Sequence, residues 1–178
     1  MSSILHLRKR LISLPAVPDV PGVTIRPFNG SESNAATWLA IREAAFAGMI
    51  AEGRPWSTSD FRREFTAKPW WEPGRMLFAA TTEHDREVVV GSVTLGRAGR
   101  APNDFACLQW LMVRPEERRR GIGKLLLTTI ERLAFDAGET TLALETHASW
   151  SEAVRLYRAA GYETLLPRGE GGGVFADG

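Results

Sequence analysis

Apolar positions along the chain change period several times, and each change marks an element. After a linker containing Pro15, Pro18, Pro21 and Gly22, residues 23–27 read as a short strand. Over residues 34–52, Trp38, Leu39, Ile41, Ala45, Phe46 and Met49 recur at helical spacing. Ser57, Thr58, Ser59 and Asp60 offer N-caps for a second helix over 60–68. Residues 69–74 form a loop that carries Trp70 and Trp71. Residues 76–82 and 88–95 are strand-like, with the polar turn 83–86 between them. Residues 105–113 form a further apolar strand that ends before Pro115, which has no amide for a ladder. Leu126, Ile130, Leu133 and Ala137 line one face of a helix over 123–137, and Gly138 stops it. A strand over 141–146, a helix over 151–160 stopped by Gly161, and a strand over 162–166 complete the pattern. Residues 169–173 are glycine-rich and expected to be flexible, with residues 174 and 175 pairing weakly at an edge.

The order is strand, two helices, three strands, helix, strand, helix, strand. A hairpin that leads into a strand–helix–strand unit predicts an α/β fold with a mixed sheet and helices on both faces. The expected organisation is an extension and linker over 1–22, one folded domain over 23–168, and a tail over 169–178. The first fourteen residues are basic and mildly amphipathic, but their charges interrupt the apolar run and make a poor signal peptide. They read as a helical or disordered extension, with docking to a surface or partner as the other reading.

Composition narrows the function classes. A chain of 178 residues suits one domain with its own core. The net charge of +1 lacks the basic excess that nucleic-acid binding usually leaves. No apolar run reaches the ~18–20 residues that a membrane helix needs. A single cysteine, Cys107, can make neither an internal disulfide nor a zinc cluster. A cytoplasmic protein without a metal is expected.

The informative stretch is Val113-Arg-Pro-Glu-Glu-Arg-Arg-Arg-Gly-Ile-Gly-Lys-Leu125. A strand ends, a polar turn comes next, and a helix begins at two glycines. Gly121 and Gly123 leave backbone amides uncovered, and the helix start adds unpaired donors and a positive dipole end. Arg118, Arg119, Arg120 and Lys124 add charge, so the turn reads as a socket for a pyrophosphate or similar anion. A Rossmann fingerprint would need glycine or alanine where Leu126 stands, and a P-loop would need Ser or Thr where Leu125 stands.

Arg118-Arg-Arg-Gly121-Ile-Gly123 resembles the Arg/Gln-x-x-Gly-x-Gly/Ala motif of the GCN5-related N-acetyltransferases. Ala153, Leu156, Tyr157, Gly161 and Tyr162 resemble that family's Asn-x-x-Ala-x-x-Leu-Tyr and Gly-Phe/Tyr pattern, in the right order and at the right spacing. The family's frequent Asn, which commonly helps hold the pantetheine arm or fixes the loop, falls at Trp150. The resemblance implies a mixed, mostly antiparallel sheet with a splayed parallel strand pair. It implies acetyl-CoA as cosubstrate and an amine acceptor, on a small molecule or a peptide. Backbone groups at Leu111, Met112 and Val113 would meet the pantetheine. Amides of Arg118, Arg119, Arg120, Gly121, Ile122, Gly123 and Lys124 would hold the pyrophosphate. Homodimerisation is compatible with the family, and nothing local decides it.

Attack on a thioester needs a neutral amine and a donor for the departing sulfur. A lysine-type amine, pKa ~10.4, is about one part in a thousand neutral at pH 7. Tyr157 aligns with the family's tyrosine and, with an ordinary pKa of ~10, stays protonated as the acid. Glu145 is the leading base. It lies twelve positions before Tyr157, a register that resembles the Glu and Tyr of protein N-terminal acetyltransferases. His147, at the same strand end, is the alternative base, and a water relay would also serve. His6 and His84 are expected to be solvated. Mid-strand Cys107 reads as a buried structural thiol, which favours direct transfer over an acetyl-enzyme.

On the acceptor side, Phe46, Met49, Trp56, Trp70 and Trp71 could line an apolar or cation-binding pocket, or pack in the core or a dimer contact. Residues 69–79 also vaguely resemble a segment of mycothiol synthases, one short loop match that does not carry that substrate. Glu52, Glu64 and Glu72 could attract a cationic amine, with a solvated face as the other reading. A non-catalytic CoA-binding domain, and an enzyme for a nucleotide or phosphate sugar, are the competing functions.

Overall fold

The computed structural model describes residues 3–49, 54–100 and 103–165. The expectations for residues 169–175 lie outside them. Strands β1 (Ile4–Arg10), β2 (Thr24–Pro27), β3 (Met76–Glu83), β4 (Arg86–Ala98), β5 (Phe105–Val113), β6 (Thr141–His147) and β7 (Glu163–Thr164) form one sheet. Its order is β2-β3-β4-β5-β6-β1-β7. Every pairing is antiparallel except β5 with β6. Helices α1 (Glu32–Phe46) and α2 (Thr58–Phe61, widening into a turn through Thr66) cover one face. Helices α3 (Ile122–Asp136) and α4 (Ser151–Ala159) cover the other. The α/β fold class and the parallel pair expected from the sequence are both present.

Most elements fall within a few residues of their expected bounds, because each apolar stripe meets its core. The caps obey the same logic: Ser57 and Asp60 form a reciprocal capping box at the start of α2. Two expectations are overturned. Helix α1 ends at Phe46 instead of running to residue 52, and Gly48 takes a left-handed φ of +72° just beyond it.

The second correction is larger. Residues 4–10 are neither helical nor disordered: Ile4–Arg10 is an inner strand, paired with β6 on one side and β7 on the other. Leu7 and Leu11 enter the core beside Tyr157 and Tyr162. Lys9 shares the buried side, and its Nζ lies 2.7 Å from Glu131 Oε2 on α3. Leu5, Leu7 and Leu11 do carry the period-two pattern of a strand. Lys9 breaks that pattern, and its partner stands 122 residues away.

Besides a register shift of β3 against β4 at Ala79 and Ala80, two local distortions interrupt the regular sheet. The β3–β4 hairpin turns on His84 and Asp85, with φ of 49° and 61°. A two-residue turn with both φ positive prefers Asn-Gly. The double change His84→Asn, Asp85→Gly is therefore expected to stabilise the fold by about 1 kcal/mol. A thermal melt would show this as a Tm about 2–4 °C higher in a chain of this size.

The other distortion is a bulge in β5. Trp110 has φ +53°, and the β4–β5 register shifts between Ser92 and Thr94. One inserted residue flips every later side chain to the opposite face. Ala106 and Leu108 pack toward α3, whereas Trp110 and Met112 pack toward α1. Trp110 is held in this left-handed conformation by edge contacts with Trp38, Phe46 and Trp56. Its Nε1 also donates to Glu64 Oε1 at 2.8 Å.

Candidate active site

Strands β5 and β6 share a single bridge, Cys107 with Ala143. Beyond it the bulge at Trp110 turns β5 away, and the two strands part. A cavity of about 810 Å³ fills the opening, between Leu108–Val113 on one side and Glu145–His147 on the other. Main-chain groups that face such a gap lack a strand partner and suit an extended amide-bearing ligand. Phe46 and Trp150 roof the cavity with ring centroids 5.4 Å apart, and Trp150 stacks on His147 at 4.5 Å. Trp150, in place of the family's Asn, is the N-cap residue of α4 and makes no side-chain cap there. Its indole closes the roof instead.

One end of the cavity is the turn before α3. Gly121 caps the helix with φ +88°, and Arg119 has φ +65°. No side chain caps the helix start, so the first-turn amides at Ile122, Gly123 and Lys124 remain available to an anion. Leu111, Met112, Val113, Arg118, Arg119, Ile122 and Gly123 all line the cavity. Arg120, Gly121 and Lys124 do not. Arg120 pairs with Glu117, Gly121 shapes the turn, and Lys124 is exposed on the rim. The Arg118 guanidinium is committed to protein: Nη2 donates to the Ala45 carbonyl at 2.6 Å and Nε to the Val113 carbonyl at 3.3 Å. It ties the turn to the end of α1 and to β5, leaving the backbone amides and Arg119 to meet an anion.

Tyr157 and Glu145 line the same cavity from α4 and β6. Burial pushes the Tyr157 hydroxyl well above the usual phenol range, so it stays protonated across the physiological range. Burial also raises the Glu145 carboxyl, and the neighbouring His6 opposes that shift. Cys107 is buried, and desolvation pushes its thiol up to about 12, so almost no thiolate forms near neutrality. An acetyl-enzyme on this sulfur is disfavoured, in line with its reading as a structural thiol.

The acceptor-side aromatics divide. Phe46 and Met49 line the cavity. Trp56, Trp70 and Trp71 instead pack onto the second core with Trp38, Phe61 and Phe65. The face of Trp56 carries the protein's own Arg42 guanidinium at 4.0 Å, so this ring is not open to a cationic ligand. Glu64 is spent on Trp110, Glu72 is exposed, and Glu52 lies outside the described residues. His6, expected to be solvated, stands beside Glu145, and Ile4 lines the cavity. The alternation in residues 5–11 is the signal that could have placed both. Among the described residues, no helix is long and apolar enough to cross a membrane, and no group of His, Cys, Asp and Glu is arranged to hold a metal.

A mixed sheet whose parallel neighbours part around a cleft, with an open helix start at one end of it, is the architecture of an N-acetyltransferase. The chain belongs to the acetyltransferase (GNAT) family, whose model matches residues 33–162. It is 33% identical to a mycothiol acetyltransferase of Sanguibacter keddieii over 154 residues, which is 84% of this chain and 46% of that protein. It is 32% identical to one of Mycolicibacterium smegmatis over 167 residues, 91% of this chain and 53% of that protein. The chain thus spans about half the length of the curated relatives it matches. Among solved structures, a GCN5-related N-acetyltransferase from Sphaerobacter thermophilus superposes with a TM-score of 0.70 and 25% identity, over 91% of this chain and 48% of that one. A chain of the NatC complex bound to Gag peptide and CoA shares the fold with a TM-score of 0.61 and 18% identity, over 81% of this chain and 86% of that one.

Proposed function

We propose that the protein transfers an acetyl group from acetyl-CoA to a primary amine by direct attack, with both substrates bound. The observation that carries this reading is that Glu145 and Tyr157 share one cavity with the open turn before α3. Acetyl-CoA supplies an activated carbonyl on a good sulfur leaving group. Amides of the first turn of α3, with Arg119, hold the pyrophosphate. Main-chain groups of Leu111–Val113 hold the pantetheine between the parted strands. Glu145 takes the proton of the attacking ammonium, which frees its lone pair. As the C–N bond forms and the C–S bond breaks, the Tyr157 hydroxyl gives its proton to the departing sulfur and is reprotonated by the second proton that the new amide nitrogen sheds. The roof of Phe46 and Trp150 excludes water that would otherwise compete with the amine. The amine substrate of the mycothiol acetyltransferases is the first acceptor to test, with peptide amines second.

Isothermal titration with acetyl-CoA and CoA, followed by amine-dependent thiol release, tests the reading. Micromolar binding and turnover support it, and a wild type that binds neither ligand at millimolar concentration sinks it. Gly121→Asp is expected to weaken both ligands by about tenfold or more, because it sets a carboxylate at the helix start. Asp tolerates the left-handed φ, so the fold is retained.

A further inference from the structure

The residue that faces the candidate base comes from the start of the chain. In the β1–β6 ladder His6 stands opposite Glu145, and its Nδ1 lies 3.0 Å from Glu145 Oε1. Their side chains are 32% and 41% exposed, so the pair is half-buried, and of the two Glu145 borders the cavity. Ile4, next on the same face of β1, lines the cavity together with Glu145.

We propose that β1 is part of the active site and that His6 is a positioning residue for Glu145: it engages one carboxylate oxygen and leaves the other oxygen for the amine proton. The proposal rests on the acetyl-transfer reading above. Directly opposed residues in an antiparallel pair have Cβ atoms about 4.5–5.5 Å apart, so the ladder itself imposes the contact. The register is locked from the other face of β1. Leu7 is buried in the core and Lys9 is paired with Glu131. A slip of one residue would expose Leu7 and bury His6. Burial of a carboxyl favours its neutral form, which cannot accept a proton, and a protonated imidazole opposes this.

The other titratable and charged groups around Glu145 do not replace His6. Cys107 on β5 and Tyr157 on α4 are held neutral by burial. His147, on β6 itself, lines the cavity and lies against Trp150, the two rings tilted by 48°. Glu152 on α4 also lines the cavity and is acidic. Arg8 shares the face of β1 but stands opposite Ala143.

The experiment uses the full chain as wild type, His6→Gln and His6→Lys. The Glu145 carboxyl is titrated by 13C NMR, assigned with Glu145→Gln, and kcat/KM for acetyl transfer is measured against pH. In His6→Gln the carboxyl midpoint is expected to move to higher pH. kcat/KM on the acidic side of the profile should fall about threefold relative to wild type, with the two profiles converging on the alkaline side. His6→Lys, which keeps a cation, should restore the acidic side of the profile. A midpoint that stays put in His6→Gln while turnover persists overturns the role of His6 and leaves the transferase reading standing. A midpoint that moves in a protein without amine-dependent turnover sinks the transferase reading, and the catalytic role of His6 with it.

Discussion

Tyr157→Phe is expected to lower kcat about 10²–10³-fold while acetyl-CoA affinity stays within about twofold. The hydroxyl is the only group removed, and in the proposed reaction it acts on the sulfur as it departs, not on the groups that anchor the bound cosubstrate. Burial holds it protonated, so its contribution should persist on the alkaline side of the pH profile until well beyond neutrality. Stopped-flow thiol release against titration calorimetry would separate the two quantities. A kcat within threefold of wild type would mean that the sulfur leaves without Tyr157. Glu145 should behave differently. Its carboxyl is raised by burial, so activity that needs the carboxylate is lost as pH falls through a midpoint above the ordinary one for glutamate.

The second large effect is on stability. Lys9→Met is expected to cost about 3–5 kcal/mol, because it leaves Glu131, 1% exposed, as an unpaired buried charge. Domains typically have a total of about 5–15 kcal/mol, so much of the variant would be unfolded or insoluble. The double variant Lys9→Met, Glu131→Leu should recover most of that loss, since an apolar pair of similar volume needs no charge compensation. Urea melts of wild type, single and double variants give the comparison. If the single variant melts like wild type, β1 is not held by this pair. The same measurement bears on the site, because a loosened β1 carries Ile4 away from the cavity wall and His6 away from Glu145.

What could be read in the chain depends on how local each signal is. The turn from Val113 to Leu125 declared itself because strand end, glycines and helix start are contiguous, and the amides of a helix start need no distant partner. The spacing of Ala153, Leu156, Tyr157 and Gly161 was legible for the same reason. The capping box at Ser57 and Asp60 involves four consecutive residues. These features determined the family, the α/β class and the candidates Tyr157 and Glu145.

Other features depend on residues far apart in sequence. Arg118 reads as an anion ligand until α1 brings the Ala45 carbonyl to it from 73 positions away. Trp56 reads as part of a cation pocket until Arg42 is seen lying across its face. Trp110 reads as an ordinary strand residue until its positive φ and the shifted β4–β5 register show a bulge, held by its aromatic surroundings and Glu64. The first residues read as an extension because Lys9 interrupts their alternation, and a buried lysine makes sense only with Glu131 in place. The sequence by itself thus determined which local backbone shapes and which chemistry the chain offers. The tertiary structure alone decided which charges are already neutralised within the protein, and that His6 stands beside Glu145, because burial and pairing are properties of segments that meet only when the sheet closes.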